Sequence, residues 1–409
     1  MSYRLISKVI LFLLPLPIFM GLSFNIYKGS GYDAANVLPI SFFLVSIVGI
    51  IYIKKSFMIN RLDKLIILNL FFMIIGYSYI LITSRSIVSF DWLILYSVPM
   101  VMGYFYGRNI AKYIDVNTFL KYIIYSIGLI SFLHVVWSIG NYGIFYAIAN
   151  RGSDDVFGIF SIYQKLISYP LILGIVFFLV LFSKNTINNK LLKYGISLFI
   201  FLDLIIVAAR EPFAMLFFMF FLYFIKNFTL RNILKVVFFI VIFLILFMII
   251  NISFDLSELY IYRKFYVFFN PENDFQATGG RLANFINFWN YISQLNLFFG
   301  EGFNITDVRG SAHNQWLDLL TKGGLTYYLS ILLIFIHAIY FGFKLRLINK
   351  NYLLYSIVLI ALIFISFNIN TALRTPFTSV LIWVFIGYLS GSYSNYRKIG
   401  IKNNKREYI

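Results

Sequence analysis

The stretch RGSAHNQWLDLLTKGG, Arg309 to Gly324, holds one of three histidines in 409 residues. It closes the longest polar segment of a strongly apolar chain. Ser311 reads as a helix N-cap, which places His313 and Asn314 in the first turn of a new helix. A helix N-terminus offers unpaired amides and positive potential. Such a site disfavours imidazolium, so His313 is expected to stay neutral, able to accept a proton or to bond an anion. A polar residue that only meets water at a loop–helix junction explains the same letters. Trp316, Leu317 and Leu320 give this helix an apolar face, and Gly323 with Gly324 should end or bend it.

Other residues able to do chemistry lie upstream. Arg210 follows an apolar run and precedes Glu211-Pro212, and an ionisable residue at membrane depth is a functional candidate. Snorkelling, or pairing with Glu211, is the structural alternative. Asp203 reads as an internal hydrogen-bond partner, and His134 and His337 as packed or lumen-facing polar residues. Arg281 opens RLANFINFWNYISQL, where Arg281, Phe285, Phe288 and Ile292 recur at helical spacing and form a face suited to the membrane surface. Glu301 sits in FFGEGFN, with Gly300 and Gly302 permitting tight turns. The pairs Asp154-Asp155 and Glu272/Asp274 lack metal-ligand spacing and read as solvated loop charge; no metal and no other cofactor is expected. The chain has no cysteine, which excludes disulfide and thiolate chemistry.

The elements that position these residues follow from composition. Hydrophobic residues make up 61% and charged residues 12%, against about 25% charged in soluble domains. The reading is an all-α polytopic membrane protein, a single integral membrane unit over 1–409. About twelve transmembrane helices are expected, at 6–24, 37–53, 65–82, 92–107, 119–140, 166–183, 194–209, 211–225, 236–252, 324–341, 352–368 and 376–392. The first is read as a retained helix, not a cleaved signal. The formal net charge of +18 is not a nucleic-acid signature, because the cations fall in short clusters between apolar runs. KKSFMINRLDK, KNFTLRNILK, KLRLINK and the C-terminal tail all lie on one side, which the cation excess assigns to the cytoplasm. Both termini are then cytoplasmic. The one large outer loop, 253–323 between spans nine and ten, is where chemistry on the outer face is expected.

The order of motifs resembles the O-antigen polymerase and O-antigen ligase superfamily. It runs from AAREP (Arg210) through GGR (Arg281) and FGEGFN (Gly300, Gly302) to AHNQWLDLLTKGGL (His313, Asn314, Leu317, Leu320, Gly323, Gly324). The resemblance implies a GT-C-like fold and an inverting, metal-independent glycosyltransferase in the bacterial inner membrane with a periplasmic active site. Its substrates would be oligosaccharide and polysaccharide on undecaprenyl diphosphate, with membrane lipids and a chain-length regulator protein as further partners. By position, Arg210 and Arg281 match the family's essential arginines and His313 its loop histidine. Arg309, Asn314 and Glu211 join them as substrate-binding candidates, and Glu301 or Glu211 stands behind His313 as base. Polymerase is the leading expectation and ligase, transferring to lipid A–core, the first alternative. A lipid-linked oligosaccharide flippase is the second. It predicts internal repeats and short loops on both sides, and the large motif-bearing loop argues against it.

Overall fold

The computed structural model describes residues 3–14, 23–25, 37–39, 59–83, 91–143, 169–207, 210–226, 281–303, 314–369, 372–373 and 376–406. They form helices α1 (Tyr3–Leu13), α2 (Arg61–Thr83), α3 (Asp91–Ile110), α4 (Val116–Tyr142), α5 (Tyr169–Phe182), α6 (Lys190–Val207), α7 (Arg210–Lys226) and α8 (Arg281–Ile292). These are followed by α9 (Gln315–Leu345), α10 (Asn351–Ile369) and α11 (Pro376–Arg406). Two three-residue strands, β1 (Ser23–Asn25) and β2 (Val37–Pro39), pair antiparallel.

The strands correct the expected start of the chain. Helix α1 covers only the first half of predicted span 6–24, and predicted span 37–53 opens on β2. Pro15 and Pro17 follow α1, and proline pushes the residue before it out of helical backbone. Predicted span 236–252, loop residues 253–280, Asp154-Asp155 and Glu272/Asp274 lie outside the described residues.

Among the described residues, four helices are long and apolar enough to cross a membrane: Arg61–Thr83, Val116–Asn141, Gln315–Leu345 and Asn351–Ile369. Large apolar side chains face outward from them, among them Phe71 and Ile74 on α2, Leu133 and Val136 on α4, and Leu333 and Ile336 on α9. Faces this greasy suit lipid and not water. The structure is that of a predominantly helical protein compatible with multi-pass membrane embedding.

The bundle is centred on α3 and α11. Gly103 and Gly107 on α3 pack against Val380, Trp383, Val384 and Tyr388 of α11, and Gly387 and Gly391 on α11 against Tyr104 and Arg108 of α3. A Cβ on Gly107 would lie 2.1 Å from the Val384 carbonyl oxygen, and one on Gly387 2.0 Å from that of Tyr104. Two glycines four apart on each partner let the backbones touch, as small residues do between helices in lipid. Beside this seam, Arg108 grips Asp63 with Nε and Nη2, each 2.5 Å from a carboxylate oxygen. Tyr104 donates to Asp63 at 2.6 Å and the Asn60 amide at 2.7 Å. Asn60 Nδ2 donates to Ser390 Oγ at 2.8 Å, so one fully bonded cluster ties the start of α2 to α3 and α11.

A second polar clasp lies at the same end of the bundle. Asn351 Nδ2 donates to Asn117 Oδ1 at 2.7 Å and to the Lys184 carbonyl at 2.8 Å. Tyr388 donates to the Ile114 carbonyl at 2.8 Å. Through these contacts the cation-bearing ends around Arg61, Lys64, Lys112, Lys184, Lys190 and Lys350 gather together. The starts of α7, α8 and α9 belong to the opposite end.

Candidate functional site

Helix α9 starts at Gln315 on an Asn314 cap. Asn314 has extended backbone (φ −147°, ψ 116°) and its Oδ1 accepts from the Leu317 amide at 3.1 Å. This corrects the expected cap at Ser311. Asn314 is itself one of the best N-cap residues, so it forms the boundary, and His313 precedes the helix instead of lying in its first turn. His313 and Arg309 fall outside the described residues.

Behind the cap lies a buried polar layer. Gln315 is fully buried; its Oε1 accepts from the Leu373 amide at 2.7 Å and its Nε2 reaches the Tyr96 hydroxyl at 3.5 Å. Tyr96, from α3, donates to Oδ2 of Asp318. Asp318 is 3% exposed and lies in the first turn of α9. Sequence reasoning does not single out Gln315, Asp318 or Tyr96. The usable signal is spacing: Asn314 and Asp318 are four apart and share a helix face.

Trp316 carries the contact onward. Its ring lies 5.2 Å from that of Phe367 on α10 and 5.3 Å from that of Tyr328. Phe367 follows a π-helical segment, Leu362–Ser366. Ser366, fully buried, donates to Glu211 Oε1 at 2.6 Å. Glu211 is the second residue of α7, so Arg210 opens α7 and does not close α6, which ends at Val207. Through α10, the structure therefore brings the Arg210 end of α7 to the end of α9 that follows His313.

Arg281 opens α8, whose last turn packs Ile292 against Leu317 of α9. The predicted face of α8 is thus partly turned inward: Ile292 meets protein, while Ile286 and Trp289 are 50% and 59% exposed. The side chains of Arg210 and Arg281 lie outside the described residues.

Glu301 is 5% exposed; its Oε1 accepts from Tyr291 at 2.7 Å, and its Oε2 pairs with Lys322 at 2.5 Å. The turn that carries it is clasped into α9. At Gly324 (φ 65°, ψ −168°) the helix breaks. The Leu325 and Thr326 amides turn away from the helix and donate to the carbonyls of Leu297 and Phe298. The carbonyls they would have met, Thr321 and Lys322, accept instead from the amides of Glu301 (2.7 Å) and Phe303 (2.8 Å). Two helical bonds are exchanged for four, so these four backbone groups all keep partners across the break. The expected bend at Gly323-Gly324 is present.

A separate buried cluster joins α4, α5 and α6. His134 Nδ1 lies 2.5 Å from Asp203 Oδ1, and Tyr169 donates to Asp203 Oδ2. Asp203 is the internal hydrogen-bond partner expected. His337 is half-buried and donates from Nδ1 to the Leu333 carbonyl at 2.9 Å.

No family model matches the chain, and no curated protein matches it.

Proposed function

We propose that this chain is a membrane glycosyltransferase acting on lipid-linked glycans, and specifically an O-antigen polymerase. The observation that supports it most is the meeting of two motif-bearing helix starts at the bundle end away from the cations. Arg210-Glu211 opens α7, and Asn314 caps α9 just after His313; Ser366, Phe367 and Trp316 connect them. This is where a lipid-carried substrate at the outer leaflet would be met. The proposed topology is multi-pass, with cytoplasmic termini and segment 253–323 on the periplasmic side.

In the proposed reaction a sugar hydroxyl of the lipid-linked repeat unit attacks the anomeric carbon of the growing chain. The new C–O bond forms as the bond to the undecaprenyl diphosphate oxygen breaks, with inversion. The hydroxyl proton passes to a base, and the bond's electron pair leaves on the diphosphate. Arg210 and Arg281, with Arg309, would take that charge in forked hydrogen bonds, each worth about 1.5–3 kcal/mol. His313 is the first choice of base. Glu301, bonded on both oxygens to Tyr291 and Lys322, is better suited to holding the glycine turn, and Glu211 stands behind His313.

Deletion of the gene in the native bacterium, followed by lipopolysaccharide electrophoresis, tests the reading. A polymerase leaves core plus one repeat unit. Bare core, with polymer stranded on its carrier, would establish the ligase instead. Retention of the full ladder by Arg281→Ala and His313→Ala would overturn the site assignment.

A further inference from the structure

The clasped turn 296–303 carries an inference that does not depend on the proposed reaction. Residues 282–300 hold no charged side chain, although they belong to the large outer loop expected over 253–323. The turn packs against α2. Asn296 Nδ2 donates to the Tyr79 hydroxyl at 3.2 Å, and the Phe299 and Tyr79 rings lie 5.2 Å apart. Gly302 faces Gly76 so closely that a Cβ on it would lie 2.5 Å from the Gly76 carbonyl oxygen.

That contact fixes a depth. The cationic end of α2 is marked by Arg61 and Lys64. From Lys64, the Gly76–Tyr79 turn is about 18–23 Å along a helix rising 1.5 Å per residue. A bilayer hydrocarbon core is about 30 Å thick. The turn therefore lies inside the hydrocarbon boundary of the far leaflet, not beyond it.

Its amides from Phe298 to Phe303 meet the condition for that depth. Non-helical backbone survives inside a bilayer only if its polar groups are satisfied by protein. Six consecutive amides here are bonded. Those of Phe298 and Phe299 donate to Asn296 Oδ1, at 3.0 and 3.1 Å. Gly300 donates to the Asn296 carbonyl, Glu301 to Thr321, Gly302 to Phe299 and Phe303 to Lys322. Meanwhile Leu297 and Phe298 point outward, 62% and 56% exposed. They continue the apolar surface of α9, where Leu329 and Leu333 are 45% and 42% exposed, and that of α2 at Leu81 and Ile82.

We propose that 296–303 is a re-entrant turn set into the leaflet away from the cationic helix ends, with Leu297 and Phe298 in contact with lipid acyl chains. It anchors the break in α9 at a fixed depth, and segment 253–323 is only partly extramembrane.

The absence of native cysteine makes the test direct. Single variants Leu297→Cys and Phe298→Cys in the full chain are spin-labelled in phosphatidylethanolamine–phosphatidylglycerol liposomes and probed with oxygen and a water-soluble nickel complex. Leu329→Cys is the lipid reference, and Asn188→Cys, in an exposed turn at the cationic end, the water reference. Oxygen contact matching Leu329→Cys, with the nickel complex excluded, is expected at both positions. Nickel access matching Asn188→Cys would overturn the proposal, as would exclusion of both probes, which would mean a protein partner covers the turn. The unsubstituted protein supplies a second measurement: a phospholipid with a photoactivatable acyl chain should cross-link within 296–303. Cross-linking only to the helices would equally overturn it.

Discussion

Ser366 Oγ and Glu211 Oε1 lie 2.6 Å apart, joining the π-helical segment of α10 to the first turn of α7. A π turn inserts an extra residue and re-aims the side chains after it. Here Ser366 is turned to Glu211 and the next residue, Phe367, to Trp316. Under the proposed function Ser366 is a positioning residue that acts through Glu211. Ser366→Ala should lower kcat/KM in a purified transfer assay about 10-fold, each tenfold being about 1.4 kcal/mol. Ser366→Thr, which keeps the hydroxyl, should restore most of it. In a Glu211→Gln background Ser366→Ala should add little; an additive loss would show a merely structural role.

The Asp63–Arg108 pair belongs to architecture. Both side chains are buried, at 0% and 3% exposure. Arg108→Met leaves Asp63 with only the donors from Tyr104 and Asn60. Breaking one side of a buried pair costs about 3–5 kcal/mol, so the detergent-purified variant should show a large fall in unfolding midpoint. Asp63→Leu/Arg108→Met should recover part of that loss, since no charge is then stranded. Equal stability of the single and double variants would refute this account.

The sequence displays these features unevenly. Apolar length alone places helices near α2 to α7 and α9 to α11, because burial of a 3.6-residue repeat in lipid is written in composition. The bend at Gly323-Gly324 is legible because glycine is the residue that takes positive φ. The partners of the bend are not. Nothing local shows that the Thr321 and Lys322 carbonyls would be met by amides some twenty residues upstream, since backbone groups carry no letter. The cap falls at Asn314, three residues beyond the expected Ser311, because both are good caps and local propensity cannot choose between two. Asp318 escapes notice because an aspartate in a first turn is explained by the helix dipole, and only the fold brings Tyr96 to it.

Asp115 supplies a pH test outside the membrane spans. Burial raises its pKa, but hydrogen bonds from the Thr118 hydroxyl and amide and from the Asn117 amide outweigh this and hold it below the usual carboxylate value. A depressed folded pKa means the stabilisation is present above the unfolded pKa, near 3.9, and is lost as pH falls through the folded value. Asp115→Asn keeps the cap without the charge. Its stability deficit relative to the parent chain should be full at about pH 6, begin to shrink near about pH 4 and vanish only once the pH is below the folded pKa. A deficit constant across that window would rule out the charge as its source.

The break in α9 makes the sharpest prediction about glycine. Gly324 has φ 65°, and a Cβ there would lie 2.4 Å from the carbonyl carbon and oxygen of Phe298. Left-handed backbone costs an L-residue about 1–2 kcal/mol, and the clash adds to it because backbone atoms cannot rotate aside. On Gly302 (φ 59°) a Cβ would lie 2.2 Å from Ile80 Cγ1 and 2.5 Å from the Gly76 carbonyl oxygen. Gly324→Ala and Gly302→Ala should therefore lose most of the monodisperse protein on size-exclusion chromatography. Ile80→Ala should not rescue Gly302→Ala, since it removes only the side-chain half of the clash. Gly140→Ala is the control: it lies in α4 with nothing within 4 Å of its Cβ, and helix propensity favours alanine there by about 1 kcal/mol. If Gly324→Ala matched that control in yield, the clasp between 297–303 and the broken helix would not be what holds the turn in place.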